Sequence, residues 1–195
     1  MKDFSRFYSS LGLLIILNVI IKPIWIFGID RKVQNIVGTE AYGTYFSLLG
    51  FSIVFSFLLD WGLTGFFNRG LAADKTGYIN KAGSFFLIKL FFSVFYALVV
   101  FVAAWFAGVG HWDIVGYVVM IQVLTSLFLF VRSIITAEQW FFTDAWLSVT
   151  DKLLMILVCG GFLVFPSLIG TISIQIFLIV QAVCTAMTLI ISSLI

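Results

Sequence analysis

Charge is scarce in this chain of 195 residues, and the scarcity decides its class. Only 10% of the residues are Asp, Glu, Lys or Arg, where soluble domains carry about 25%, so nothing in it reads as a soluble enzyme. The few charges nearly cancel, 11 Lys and Arg against 9 Asp and Glu for a net +2, which implies neither nucleic acid nor an acidic soluble partner. Cysteine is rarer still. Cys159 and Cys184 lie in apolar runs with no second Cys or His at ligand spacing, the pattern of small buried apolar side chains rather than of a disulfide or a metal pair. A Gly-rich phosphate loop, a nucleophile elbow and a metal cluster are all missing, so no enzyme class and no cofactor is supported. Histidine occurs once, at His111 in a short loop, and no internal repeat or low-complexity stretch is present.

What the chain has instead is apolar surface: 62% of its residues are hydrophobic. They come in long blocks rather than in alternating or amphipathic patterns, and about 20 such residues are what a bilayer core requires. The blocks predict an all-α integral membrane protein, a single unit over residues 1–195 with six spans. These run from Leu11 to Ile29, Tyr42 to Phe67, Ala82 to Val109, Ile114 to Ile135, Ala145 to Phe165 and Gly170 to Ile195. A β-barrel is excluded because it needs alternating segments of about 10 residues. The basic start Met1-Lys2-Asp3-Phe4-Ser5-Arg6 resembles a signal peptide, but no small-residue cleavage site follows, so the first run reads as a retained span. Gly110-His111-Trp112-Asp113 joins spans three and four, and Pro166 with Gly170 marks the turn between five and six. Connections this short make the joined helices antiparallel neighbours.

The basic residues orient the bundle. Lys2, Arg6, Arg69, Lys75, Lys81, Lys89, Arg132 and Lys152 fall toward the side of the N-terminus, and Lys22, Arg31 and Lys32 toward the other. Eight against three places the N-terminus in the cytoplasm by the positive-inside rule. Trp25, Trp105, Trp112, Trp140 and Trp146 fall near span ends, as interfacial belts do, and Arg69 reads as an anchor. No charge occurs between Leu153 and Ile195, so the last span has no basic anchor, which leads us to expect a partial chain.

The residues most able to carry chemistry are the polar ones at membrane depth, each of which costs about 2.5–3.5 kcal/mol near the bilayer centre unless paired or wet. Lys22 is the first. Ending span one there would leave Leu11 to Ile21, too short to cross, and Pro23 removes a backbone hydrogen bond that could bend the helix toward a cavity. The competing reading is a helix that begins nearer Phe4 and a lysine that snorkels to the outer headgroups. Heights along the spans pick out a second group. Asp60, Lys89, Asp151 and Lys152 all fall roughly 10 Å above the inner boundary at the helical rise, so they could form one polar layer. Alternatively, Asp151 and Lys152 are interfacial and span five begins at Leu153.

Four stretches carry a family resemblance: Lys22-Pro23-Ile24-Trp25-Ile26-Phe27; Gly38-Thr39-Glu40-Ala41-Tyr42-Gly43-Thr44-Tyr45-Phe46; Leu58-Leu59-Asp60-Trp61-Gly62-Leu63 with Phe67-Asn68-Arg69; and Trp146-Leu147-Ser148-Val149-Thr150-Asp151-Lys152-Leu153-Leu154-Met155. Together they resemble bacterial polysaccharide biosynthesis proteins of the O-antigen flippase type, in the superfamily that also holds multidrug and toxic-compound exporters. The resemblance implies one six-helix lobe of a two-lobed transporter, with a second lobe as partner. It implies flipping of a lipid-linked oligosaccharide, carried on polyprenyl diphosphate, through a wet cavity in the bacterial inner membrane. Lys22 would then offer positive charge, Asn18 and Tyr45 hydrogen bonds, and Asp60 an ion or proton site. Two alternatives stand beside it: a cation-coupled drug exporter, which should prefer an acidic cavity, and a non-transporting scaffold of a polysaccharide assembly complex.

The charge count generates a topological prediction. In a variant lacking Cys159 and Cys184, an impermeant thiol reagent should label Gly110→Cys only from outside and Ala73→Cys only from inside. Reversed labelling would remove the orientation.

Overall fold

The computed structural model of the protein describes residues 2–164 and 172–195, and all the secondary structure among them is helical. The first span is α1 (Lys2–Pro23), a π-helical stretch (Ile24–Asp30) and α2 (Arg31–Val37). The second is α3 (Thr39–Val54), a 3-10 turn (Ser56–Leu59) and α4 (Leu63–Ala73), after which the short α5 (Lys75–Ile79) leads into α6 (Ala82–Phe106). Then come α7 (Trp112–Ala137), α8 (Phe141–Val164) and α9 (Ile174–Ser193). Five stretches are long and apolar enough to cross a membrane, and the bent pair α3 and α4 makes a sixth if it crosses as one. The protein is therefore of the multi-pass membrane class. The turn expected at Pro166 and Gly170 lies outside the described residues.

Two boundaries differ from those expected, for backbone reasons. The first helix does not stop at Ile29. Tyr8–Val37 is a single 30-residue span, because the hydrogen bond that Pro23 cannot donate is absorbed by the wider π turn directly after it rather than by a sharp break. Trp25 consequently lies inside the bundle instead of at a membrane interface, stacked on Phe177 at 6.2 Å between ring centroids. The second span, expected to be continuous, is broken, with a bend of 58°. Trp61 and Gly62 both take left-handed backbone angles, φ +45° and +79°. Gly62 adopts this conformation freely, whereas Trp61 does so at a cost.

Spans alternate in direction, so the ends at Tyr8, Ala73, Ala82, Ala137 and Phe141 share the N-terminal side. Helix α1 lies along α8, α9 packs on both α7 and α8, and α4 rests on α7. The interior is large and partly aromatic: Trp25, Tyr42, Tyr45, Tyr96 and Phe177 pack with Val33, Val118 and Met155. Cys159 and Cys184 are free and buried, as their apolar surroundings led us to expect. The outward faces carry Ile16, Val19, Phe27, Leu87, Phe91 and Val94, all exposed, which suits contact with lipid.

A second, smaller cluster ties the lower half of the broken span to its neighbours. Phe67, fully buried, sits 4.8 Å from Phe85 and 5.2 Å from Phe130 between ring centroids. Phe67→Ala should lower resistance to unfolding in a denaturing-detergent titration by about 3 kcal/mol. That is the low end for a buried Phe, because lipid rather than water is the competing environment. Phe66→Ala, at a neighbouring position that is 53% exposed, should change it by less than about 0.5 kcal/mol. Equal effects would show that Phe67 does not bear this packing.

Candidate functional site: two polar cavities sharing Arg132

The break in the second span opens space beside it. A cavity of about 630 Å³ lies between the 3-10 turn, α4, α6 and α7. From the broken span it receives Asp60, Thr64 and Asn68, and from α6 it receives Lys89. The rest of its polar wall comes from α7, through Gln122, Thr125, Ser126, Arg132, Ser133 and Thr136. Those α7 residues recur three, four and seven apart, so they form one stripe along one face of the helix. The expectations drawn from sequence missed this stripe apart from counting Arg132 as a cytoplasmic-side charge. The signal was present as polar residues at helical spacing inside an otherwise apolar span.

Asp60 and Lys89, expected at one height, meet as an ion pair. Lys89 is 1% exposed and reaches Thr64 Oγ1 at 3.1 Å as well as the Asp60 carboxylate. Asp60 Oδ1 also accepts the backbone N–H of Thr64 at 3.2 Å and the Thr64 hydroxyl. The Thr64 N–H belongs to the first turn of α4, where a helix start leaves donors without internal partners. One carboxylate thus satisfies a backbone group freed by the break and the buried ammonium of α6.

Asp151 and Lys152 do not join them. They pair with each other at 3.1 Å, and Lys152 lies 5.5 Å over the ring of Trp25. The single polar layer expected from heights is therefore two separate groups, because α8 turns Lys152 toward Trp25 of the first span and Asp151 pairs with Lys152. Tyr45 is likewise placed elsewhere. Expected to bind ligand beside Lys22, it lines neither cavity. It is buried against Tyr42 and Phe177, and its hydroxyl donates to Gln181 Oε1 at 3.3 Å. Nearby, the Tyr42 hydroxyl donates to Asp30 Oδ1 at 2.8 Å.

Lys22 and Asn18 line a second cavity of about 460 Å³ together with Arg132 and Ser148. Asn18 Nδ2 donates to Ser148 Oγ and to the Leu14 carbonyl, each at 2.8 Å, so its side chain is held in place. Lys22 is exposed and lies about halfway along the helical stretch Tyr8–Val37, which also contains Asp30, Arg31 and Lys32 toward its far end. Among the described residues Lys22 has no hydrogen-bond or ion-pair partner. Arg132 lines both cavities. Behind it Asp144, nearly buried, accepts from Arg132 Nε and, at 3.0 Å, from Nη2.

No family model, curated protein or solved structure matches the chain. Among the described residues no group of three or more His, Cys, Asp or Glu side chains could hold a metal ion.

The buried pair supports a stability prediction. Asp60→Ala leaves the Lys89 charge unpaired and should cost about 3 kcal/mol, whereas Asp60→Ala combined with Lys89→Leu should recover most of that loss. Detergent unfolding of the three proteins measures it. A double variant no better than the single would show that the ion pair is not what holds the break.

Proposed function

We propose that this protein takes part in flipping polyprenyl-diphosphate-linked oligosaccharide, an O-antigen or capsule repeat unit, across the bacterial inner membrane. On this reading it is a transporter and not an enzyme, and its N-terminus is cytoplasmic. The observation that supports the reading best is a large hydroxyl- and amide-lined cavity inside an apolar bundle, beside a second cavity lined by a lysine with no partner among the described residues. Sugars need donors and acceptors in place of the water they leave, and Gln122, Thr125, Ser126 and Asn68 offer them. Diphosphate needs positive charge, which Lys22 offers in the wall of the second cavity. The lipid tail needs no cavity, because it can remain in the bilayer along the apolar outer faces. The reading requires a second six-helix unit as partner, so that alternation of two halves can carry the cavity from one leaflet to the other.

The other two readings meet specific observations. A cation-coupled exporter calls for a free acid in the cavity, and Asp60 is already engaged by Lys89 and Thr64. A scaffold accounts for Asp60 with Lys89 and for Arg132 with Asp144 as packing contacts, but it has no use for Lys22.

Lys22 therefore separates the readings. In cells whose surface polysaccharide depends on this protein, Lys22→Ala should lower polysaccharide delivery by an order of magnitude or more, at unchanged membrane level. Lys22→Arg should retain part of it, since the charge is kept and its geometry altered. Normal delivery by a normally inserted Lys22→Ala protein would end the transport role of this residue.

A further inference from the structure

Of the residues named in the two cavities, only Arg132 lines both. Resting on the flippase reading, we infer that Arg132 and Lys22 together form a diphosphate site, and that Asp144 is the counter-ion which the diphosphate displaces from part of Arg132. The arrangement has three supports, all geometric. First, the charged residues lining the smaller cavity are Lys22 and Arg132, both cationic. Second, the Asp144 carboxylate engages only Nε and one N–H of Nη2. A guanidinium has five N–H donors, so Nη1 and the second Nη2 hydrogen are left without a partner among the described residues. Third, Asn18 is tied to Ser148 and to the first helix's own backbone, which fixes part of the wall of the cavity that the two cations share.

The remaining donors of Arg132 suit a phosphate, because a guanidinium fork matches two oxygens at once while an ammonium acts as a point charge. Arg132 also sets the direction of the ligand. An anion held at Lys22 and Arg132 places whatever it carries at the boundary of the 630 Å³ cavity, beside the polar stripe of α7. Ile15 and Val19, exposed on the first helix and lining the smaller cavity, offer an apolar edge toward lipid. A headgroup can therefore lie between a tail on one side and a saccharide on the other. Asp144 holds Arg132 in position while the site is empty, and it weakens anion binding by partly neutralising the cation.

That last property yields a result a purely structural pair would not produce. Binding of inorganic diphosphate to the purified full chain in detergent, measured by calorimetry, should tighten by about tenfold in Asp144→Asn. The amide keeps one acceptor for Arg132 and removes the competing charge. Lys22→Ala should weaken binding by at least about tenfold. So should the double variant Arg132→Gln with Asp144→Asn, which removes both members of the pair and leaves no buried charge unpaired. Vesicles containing a polyprenyl diphosphate distinguish the source of the anion. If they displace bound inorganic diphosphate, the site serves a lipid headgroup. If they do not, it serves the free anion and the lipid assignment is overturned. No tightening in Asp144→Asn, or wild-type affinity in the double variant, overturns the site altogether. Binding that follows these variants in a protein that transports nothing would leave the site standing and remove the flippase reading instead.

Discussion

A helix that breaks inside an apolar bundle must re-house the backbone groups it frees, because neither lipid nor packed hydrocarbon can hydrogen-bond them. The interruption between Val54 and Leu63 meets this demand from both sides. On the side toward α3, the Ser52 carbonyl accepts the Phe55 N–H at 3.1 Å and the hydroxyl of the fully buried Tyr96 at 3.2 Å. On the side toward α4, Asp60 takes the Thr64 N–H and simultaneously neutralises Lys89. The buried lysine and the broken helix thus depend on each other. Lys89 is tolerable only with Asp60 beside it, and Asp60 stands there because the chain turns through Trp61 and Gly62.

The same break creates the larger cavity. A continuous second span would lie close along α7, and its side chains would fill the space now bordered by the polar stripe from Gln122 to Thr136. Both halves of the broken span, α3 and α4, nevertheless pack on α7. Asn68 Nδ2 donates to the Ser133 carbonyl at 2.6 Å and to Thr136 Oγ1 at 3.0 Å, with Phe67 packed on Phe130 above. Below, Lys75 pairs with Glu138 at the exposed end of α7. A polar cavity follows from a backbone irregularity that polar side chains make affordable, and those side chains then serve as its walls.

Charge in the two cavities is unevenly distributed. In the larger one, Lys89 is matched by Asp60. In the smaller one, Arg132 has Asp144, and Lys22 has no counterpart among the described residues. An ammonium without a partner among the described residues, inside an apolar helical stretch, is costly unless it meets water or an anion. Pairing accounts for Lys89 with Asp60 and for Arg132 with Asp144 as packing. It does not explain Lys22, and this asymmetry makes the smaller cavity the better place to seek an anion.

The amino-acid sequence by itself determined the class of the protein, its six apolar runs and the heights of its charges, because residue number converts to depth at a constant rise along a helix. That conversion is why Asp60 and Lys89 could be assigned to one level from opposite spans, and why Lys22 stood out. Height does not determine which way a side chain faces. Apart from α7 with its polar stripe, these spans are apolar nearly all round, so they lack the amphipathic stripe that orients a helix in a soluble protein, and their rotation is set by packing against neighbours. Tertiary structure alone therefore decided that Lys152 faces Trp25, that Tyr45 lies among Tyr42 and Phe177, and that Arg132 stands between the two cavities. The break at Trp61 and the π turn after Pro23 belong to the same category: local sequence permits each of them, and only the packed bundle stabilises one backbone path over the straight helix that hydropathy alone describes.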